Sequence, residues 1–321
     1  MDQSVFANIQ ITAAGATVPG IGKPLHQILL ESAVLGKGKQ WRSQSKDIFI
    51  DPSALLIERF ELPVPVVMVG SQRSSDHPSS DAAINLINAT RTAATSDIAE
   101  VMVCMFGPTS DEYGLLHQGT RVRKMHSSYR STFRTIGDVP LAMVTRNKIT
   151  PLRDDYNRRR KDRSVRIFPY FEEKVALLYY YPNMLPDIID SLVKNGYRGI
   201  IIAGTGLGHV NKPLYPALKR AKEAGVAVYM TVQTLWGYVQ MYVYETGREM
   251  MQLGVIPTAN MLPEVAYVKL AWALGQTDDL VLTEDRRGLQ LIGHGPGPGL
   301  RPRPAGRRRP GWRPRRDAAG S

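Results

Sequence analysis

Cysteine is almost absent: the 321 residues hold one, Cys104, inside the apolar run 101–106. A single thiol makes no internal disulfide and no cysteine-rich zinc site, so Cys104 reads as a buried strand residue in a reducing compartment, and the expected localisation is cytoplasmic. Histidine is sparse as well, and the six are scattered without H-E-x-x-H spacing, so no metal site is predicted. No apolar stretch approaches the roughly 18 residues of a membrane helix, and the N-terminus has no basic segment leading into a hydrophobic core, so no membrane association is expected. The G-x-S-x-G elbow of serine hydrolases is missing. Gly204-Thr205-Gly206-Leu207-Gly208-His209 brings its third glycine one residue too early for G-x-G-x-x-G, which leaves a glycine-rich turn rather than a dinucleotide fingerprint.

Composition is otherwise ordinary, with 43% hydrophobic and 22% charged residues, enough for about two domains with cores of their own. Basic residues outnumber acidic ones by 12, but residues 288–321 alone hold eight Arg against one Asp, with eight Gly and six Pro. That segment reads as a disordered Arg/Pro/Gly tail, because its composition buries too little apolar surface to order itself. The remaining chain is mildly basic. An RNA-binding arm is the functional reading of the tail, and Trp312 is its one aromatic for base stacking.

Apolar, β-branched runs at 64–69 and 101–106 predict two buried strands, separated by a polar loop at 71–80 and a helix that Ser80 would cap. Ala83, Ile84, Leu86 and Ile87 are its expected apolar positions. Strand, loop, helix, strand is the order of a parallel sheet with helical crossovers, whose functional loops lie at the carboxyl ends of strands. The segments 71–80 and 107–124 are read as such loops. Arg158, Arg159, Arg160, Lys161 and Arg163, interrupted by Asp154, Asp155 and Asp162, read as a charged linker, with a tRNA-facing patch as the alternative.

The second half alternates again. Helices are expected from Pro186 to Gly196, through Leu214 to Gly225, and from Pro263 to Leu274, with strands at 199–203 and 226–231. The aromatic run Trp236, Tyr238, Tyr242 and Tyr244 fits either a core or an interface. The expected organisation is a divergent segment 1–52, an α/β domain 53–150, the linker 151–173, a smaller α/β domain 174–287 and the tail 288–321.

Polar chemistry concentrates in two places. One is Gly70-Ser71-Gln72-Arg73-Ser74-Ser75-Asp76-His77-Pro78-Ser79-Ser80-Asp81, and the other is Gly119-Thr120-Arg121-Val122-Arg123-Lys124-Met125-His126-Ser127-Ser128. Cationic neighbours lower the pKa of a lysine, so Lys124 between Arg121 and Arg123 reads as a candidate general base, against the alternative of a surface cation on a hairpin.

The segments 69–86 and 119–127, with 171–178, 199–210, 233–253 and 261–277 following in order, resemble the asparaginase and glutaminase amidohydrolase family, and within it the D subunits of archaeal glutamyl-tRNA(Gln) amidotransferases. The resemblance implies an α/β, two-domain asparaginase-like fold with a parallel-sheet N-terminal domain and a smaller α/β C-terminal domain. It implies hydrolysis of the side-chain amide of glutamine or asparagine by a Thr nucleophile, with Lys124 on the catalytic lysine and Ser71 where backbone meets the substrate amide. It further implies a homodimer and a partner, the amidotransferase E subunit, that uses the ammonia on mischarged tRNA. No cofactor is expected in this chain, ATP and Mg belonging to the partner, which also holds most of the tRNA. The family's Thr-Gly-Gly-Thr-Ile turn is matched by Ala14-Gly15-Ala16-Thr17-Val18, which puts the nucleophile at Thr17. Its His-Gly-Thr-Asp-Thr motif has no counterpart. Residues 46–60 offer Asp47 and Asp51 but no Thr-Asp pair, so a catalytically inactive structural chain is the alternative reading.

Overall fold

A computed structural model describes residues 64–160 apart from 74 and 108–110, residues 171–276, and the backbone of 281–285 and 288–292. Thr17, the divergent segment 1–52 and nearly all of the tail lie outside the described residues.

The first half is built on a five-stranded sheet of order β1-β2-β3-β6-β7: β1 (Val66–Val69), β2 (Val101–Phe106), β3 (Tyr113–Gln118), β6 (Ala142–Thr145) and β7 (Ile149–Pro151). β1 and β2 are parallel, with Val66 opposite Val101, and α1 (Ala82–Thr95) makes the crossover between them. The other pairs are antiparallel. The segment 107–124, expected to be a loop, therefore contains β3, which turns straight back along β2 with Leu116 opposite Cys104. The first four residues of its Tyr-Gly-Leu-Leu-His-Gln sequence alternate between half-buried and buried positions, the pattern of a strand covered unequally on its two faces. Beyond it, β4 (Val122–Lys124) and β5 (Phe133–Thr135) form a separate antiparallel ribbon.

α1 differs from expectation in the face it buries. Asn85, Asn88, Ala89, Thr92 and Ala93 turn inward, whereas Leu86 and Ile87 are 42% and 55% exposed. Small alanines let the helix lie close on Val67, Met102 and Leu116, and Asn85 reaches the end of β1, where Nδ2 donates to Gly70 O. The helix begins one residue later than Ser80 implied. Ser80 Oγ accepts from Ala82 N at 3.2 Å and donates to Arg73 O at 3.1 Å, so its hydroxyl ties the loop to the helix start.

Residues 151–160 of the expected linker lie against the first half. Asn157 donates from its backbone and side chain to Glu100 Oε1 at 2.8 and 2.9 Å, and Arg159 donates to Ser96 O and Ala93 O. Arg153 pairs with Asp138 and Asp155, and Arg158 with Asp97. Arg158 and Arg159, two of the cations that a tRNA-facing patch would have offered, are thus engaged within the fold. Lys161 and Arg163 lie outside the described residues.

The second half is a parallel sheet of order β11-β10-β9-β8, formed by β8 (Val175–Tyr179), β9 (Gly199–Gly204), β10 (Ala227–Val232) and β11 (Ile256–Pro257). Period-two alternation along β9 explains its layering. Ile200 and Ile202 face α2 (Asp187–Lys194) and α3 (Tyr215–Glu223), while Ile201 faces α5 (Pro263–Gln276) through Leu270 and Leu274. Each of the three isoleucines is at most 1% exposed, and burial of such a side chain contributes about 1.5–3 kcal/mol. Gly196 and Gly225 close α2 and α3 with positive φ, as their positions predicted. α4 (Glu245–Gln252) precedes β11, and β12 (Val281–Asp285) pairs antiparallel with β13 (Gly288–Ile292), so the first residues of the expected tail form a strand.

Candidate functional site

The loop after β1 is held from below by Asp81, which is 1% exposed at the start of α1. Its carboxylate accepts from Gln72 N at 3.0 Å through both oxygens, from Arg73 N at 3.0 Å and from Asn85 Nδ2 at 2.7 Å. Asn85 Nδ2 also reaches Gly70 O at 3.0 Å. A buried carboxylate with several N–H donors at a helix N-terminus is well solvated by protein, and here it fixes the backbone on either side of Ser71. Ser71 itself is half-buried at the carboxyl end of β1.

Lys124 ends β4, opposite Phe133, and the loop that follows is closed by Thr132. Met125 N donates to Thr132 O at 2.8 Å, His126 N to Thr132 Oγ1 at 2.8 Å, and Thr132 Oγ1 to His126 O at 2.5 Å. His126 Nδ1 accepts from Ser128 N and Tyr129 N at 3.1 and 2.9 Å, the loop role that its sequence setting indicated. Gln72 Nε2 donates to Ser127 O at 3.4 Å, which brings the two polar loops together. Arg130 pairs with Asp111, holding that carboxyl below the usual range, and its guanidinium lies 4.8 Å from the Phe106 ring centre at the end of β2.

The arginines that flank Lys124 have partners of their own in the second half of the chain. Successive residues of a strand point to opposite faces, and Arg121, Arg123 and Met125 share one face that meets the second half of the chain. Arg121 Nη1 donates to Asn260 O at 3.0 Å, and Arg123 Nη2 pairs with Glu264 Oε1 at 3.0 Å. Met125 packs in the cluster of Ile136, Leu262 and Val265. Tyr179 Oη donates to Glu264 Oε1 at 3.4 Å, and burial raises that phenol, with the Glu264 charge adding to it and Arg123 opposing. Lys124 lies on the opposite face, with Val122. A cleft of about 320 Å³ opens along the same seam between Ile136 and Gly137 on one side and Thr234, Tyr238 and Asn260 on the other, and neither Lys124 nor Ser71 lines it.

The structure thus brings Ser71 and Lys124 to neighbouring loops, and Thr17 lies outside the described residues. Gln72 and Asp81 were named only as members of the first polar loop, and Asn85 and Glu264 carried no local signal.

The glycine-rich turn after β9 is a backbone device. Thr205 N donates to His209 O at 2.9 Å and His209 N to Thr205 O at 2.9 Å, with Gly206 and Gly208 at φ of 53° and 97°. A Cβ on Gly208 would lie 2.9 Å from Met230 Cγ, so close packing as well as φ requires glycine.

A mixed five-stranded sheet followed by a parallel four-stranded one, with polar loops gathered at the end of the first, is an asparaginase-type arrangement. Residues 53–156 match the family described as "Asparaginase, N-terminal" and residues 174–284 the "Glutaminase/Asparaginase C-terminal domain". The chain belongs to the glutaminase/asparaginase family.

Within the family it is similar to the D subunit of the glutamyl-tRNA(Gln) amidotransferase of Thermococcus kodakarensis, at 59% identity over 217 residues, covering 67% of this chain and 49% of that protein. The protein of the same name from Methanothermobacter thermautotrophicus is 52% identical over 279 residues, 85% of this chain and 64% of the relative. Among solved structures, the thermostable L-asparaginase of Thermococcus kodakarensis superposes with a TM-score of 0.63 at 27% identity, covering 71% of this chain and 67% of that one. The chain spans about half the length of the first of these relatives.

Proposed function

We propose that this chain hydrolyses the side-chain amide of glutamine or asparagine and supplies the ammonia for converting Glu-tRNA(Gln) to Gln-tRNA(Gln) in the cytoplasm. The observation that carries the reading is the 3.4 Å Gln72–Ser127 contact, which joins the Ser71 loop to the loop that follows Lys124. Identity above 50% to amidotransferase D subunits supports the tRNA-dependent role over a free asparaginase.

In this reading the Thr17 hydroxyl adds to the carboxamide carbon while Lys124 takes its proton. The carbon–nitrogen bond then breaks, the proton passes to the departing nitrogen, and ammonia leaves. Water hydrolyses the acyl-enzyme ester and frees the acid. The rigid backbone around Ser71, held by Asp81, presents its polar groups to the substrate amide. Ammonia is consumed at the partner, the amidotransferase E subunit, where ATP and Mg activate the glutamyl group and where most of the tRNA is held. Two copies of the chain assemble as a homodimer, a reading favoured by an exposed aromatic surface that includes Trp236 and Tyr244.

The test is ammonia release from glutamine and asparagine. Lys124→Ala and Thr17→Ala are each expected to lower the rate by about a hundredfold or more. A folded wild-type chain that releases no ammonia overturns the reading. A second reading, a structural chain without chemistry, is favoured by one observation, the lack of a Thr-Asp pair in 46–60, and that outcome would establish it.

A further inference from the structure

We infer that the C-terminal half is a positioning element for Lys124, acting through Glu264 and the stripe Arg121, Arg123 and Met125. The stripe repeats every second residue, so one face of this short strand is committed to the second half of the chain. Each member has a different kind of partner there. Arg121 meets the backbone carbonyl of Asn260 at 3.0 Å, Arg123 the Glu264 carboxylate at 3.0 Å, and Met125 the apolar Leu262 and Val265.

Lys124 sits between two of these anchors, and a strand clamped on one face has its other face set. The β4–β5 ribbon is only two strands of three residues each and is not a member of the five-stranded sheet. Such a ribbon is marginal alone, and its position follows from what it packs on. Glu264 is the hub, because its Oε1 serves both Arg123 and the Tyr179 phenol, 3.4 Å away at the end of β8. The first turn of α5 and the end of β8, both in the second half, thereby set the direction in which a lysine of the first half points.

This inference rests on the reading of Lys124 as the catalytic lysine, and its test separates the two. Hydrogen exchange across residues 122–132 reads the clamp without any chemistry. Glu264→Gln, which keeps the shape and removes the charge, is expected to speed exchange there about threefold to fivefold. Asp190→Asn weakens a comparable exposed pair with Arg220 and is expected to leave those amides unchanged. In the active chain Glu264→Gln lowers kcat while KM moves by less than about twofold, because orientation of the lysine matters after binding. Reversing the pair, Arg123→Glu with Glu264→Arg, restores both readouts.

Unchanged exchange over 122–132 in Glu264→Gln overturns the inference. So does a kcat loss that the reversed pair fails to recover. Should Glu264→Gln not fold, Tyr179→Phe, which removes only the phenol hydroxyl, reads the same exchange with the same two outcomes. A wild-type chain without ammonia release overturns the proposed function, and exchange still decides the clamp.

Discussion

His117 shows how far a side chain's surroundings set its chemistry. It lies on β3, 1% exposed, with Nδ1 2.9 Å from Thr135 Oγ1 on the ribbon that carries Lys124. Burial pulls its pKa from 6.5 down to about 4, and the nearby Arg134 charge adds to the effect. The folded protein therefore holds the neutral ring, while the unfolded chain protonates first as pH falls. Stability from this group is fully present above about pH 6.5 and is lost progressively toward about pH 4, by about 3 kcal/mol in total. Urea midpoints measured at about pH 7.5 and about pH 5 are expected to fall with pH in the wild type and to fall less in His117→Gln; equal slopes in the two proteins would refute this account. His117 follows two leucines and His126 precedes two serines, but neither setting by itself fixes how deeply the ring is buried. The contrast is entirely one of burial, and burial is a property of the folded chain.

Periodicity made most elements readable before any coordinates, because strand alternation and helix caps are local. β2 spans the predicted residues, and α2, α3, β9, β10 and α5 lie within a few residues of expectation. The differences have two causes. Hydrophobicity predicts a buried face with Leu86 and Ile87, but these turn out while Asn85 and Asn88 turn inward, and Asn85 ties Asp81 to Gly70 O beneath the Ser71 loop. Segment 107–124 was assigned as a loop because a parallel crossover was expected after β2, whereas β3 returns antiparallel.

Element geometry also makes Gly247 a sharp test. It lies inside α4, where alanine would ordinarily favour the helix by about 1 kcal/mol, yet a Cβ there would stand 1.9 Å from the Met241 carbonyl oxygen. Backbone cannot swing aside as a side chain does. Gly247→Ala is expected to destabilise the protein by about 1–3 kcal/mol, read as a lowered Tm in thermal unfolding, and an unchanged or raised Tm would contradict the packing argument.

On the scale of the whole molecule, the exposed aromatics are the feature most in need of a partner. Trp236, Tyr242 and Tyr244 are 67%, 60% and 57% exposed and fall within nine residues of sequence. Aromatic side chains are enriched at interfaces because they bring large area with few rotors, and a second copy of the chain is the occupant proposed above. Sedimentation of the wild type is expected to report a dimer, and Trp236→Glu with Tyr244→Glu to shift it toward monomer; a wild-type monomer would remove the homodimer from the proposal. Among the described residues no helix is long and apolar enough to cross a membrane.

The sequence by itself determined β1, β2, β9, β10, the helices α1, α2, α3 and α5, the burial of Cys104 and the two polar loops, because each follows from the residue types at local spacing. It also placed Lys124 among arginines, but it did not determine what those arginines do. That was decided by tertiary structure. Only when the strand is folded against the second half of the chain do Arg121 and Arg123 find Asn260 and Glu264, well over a hundred residues away. A pattern in the chain specifies which residues share a face; which partner that face meets depends on contacts between elements that are distant in sequence.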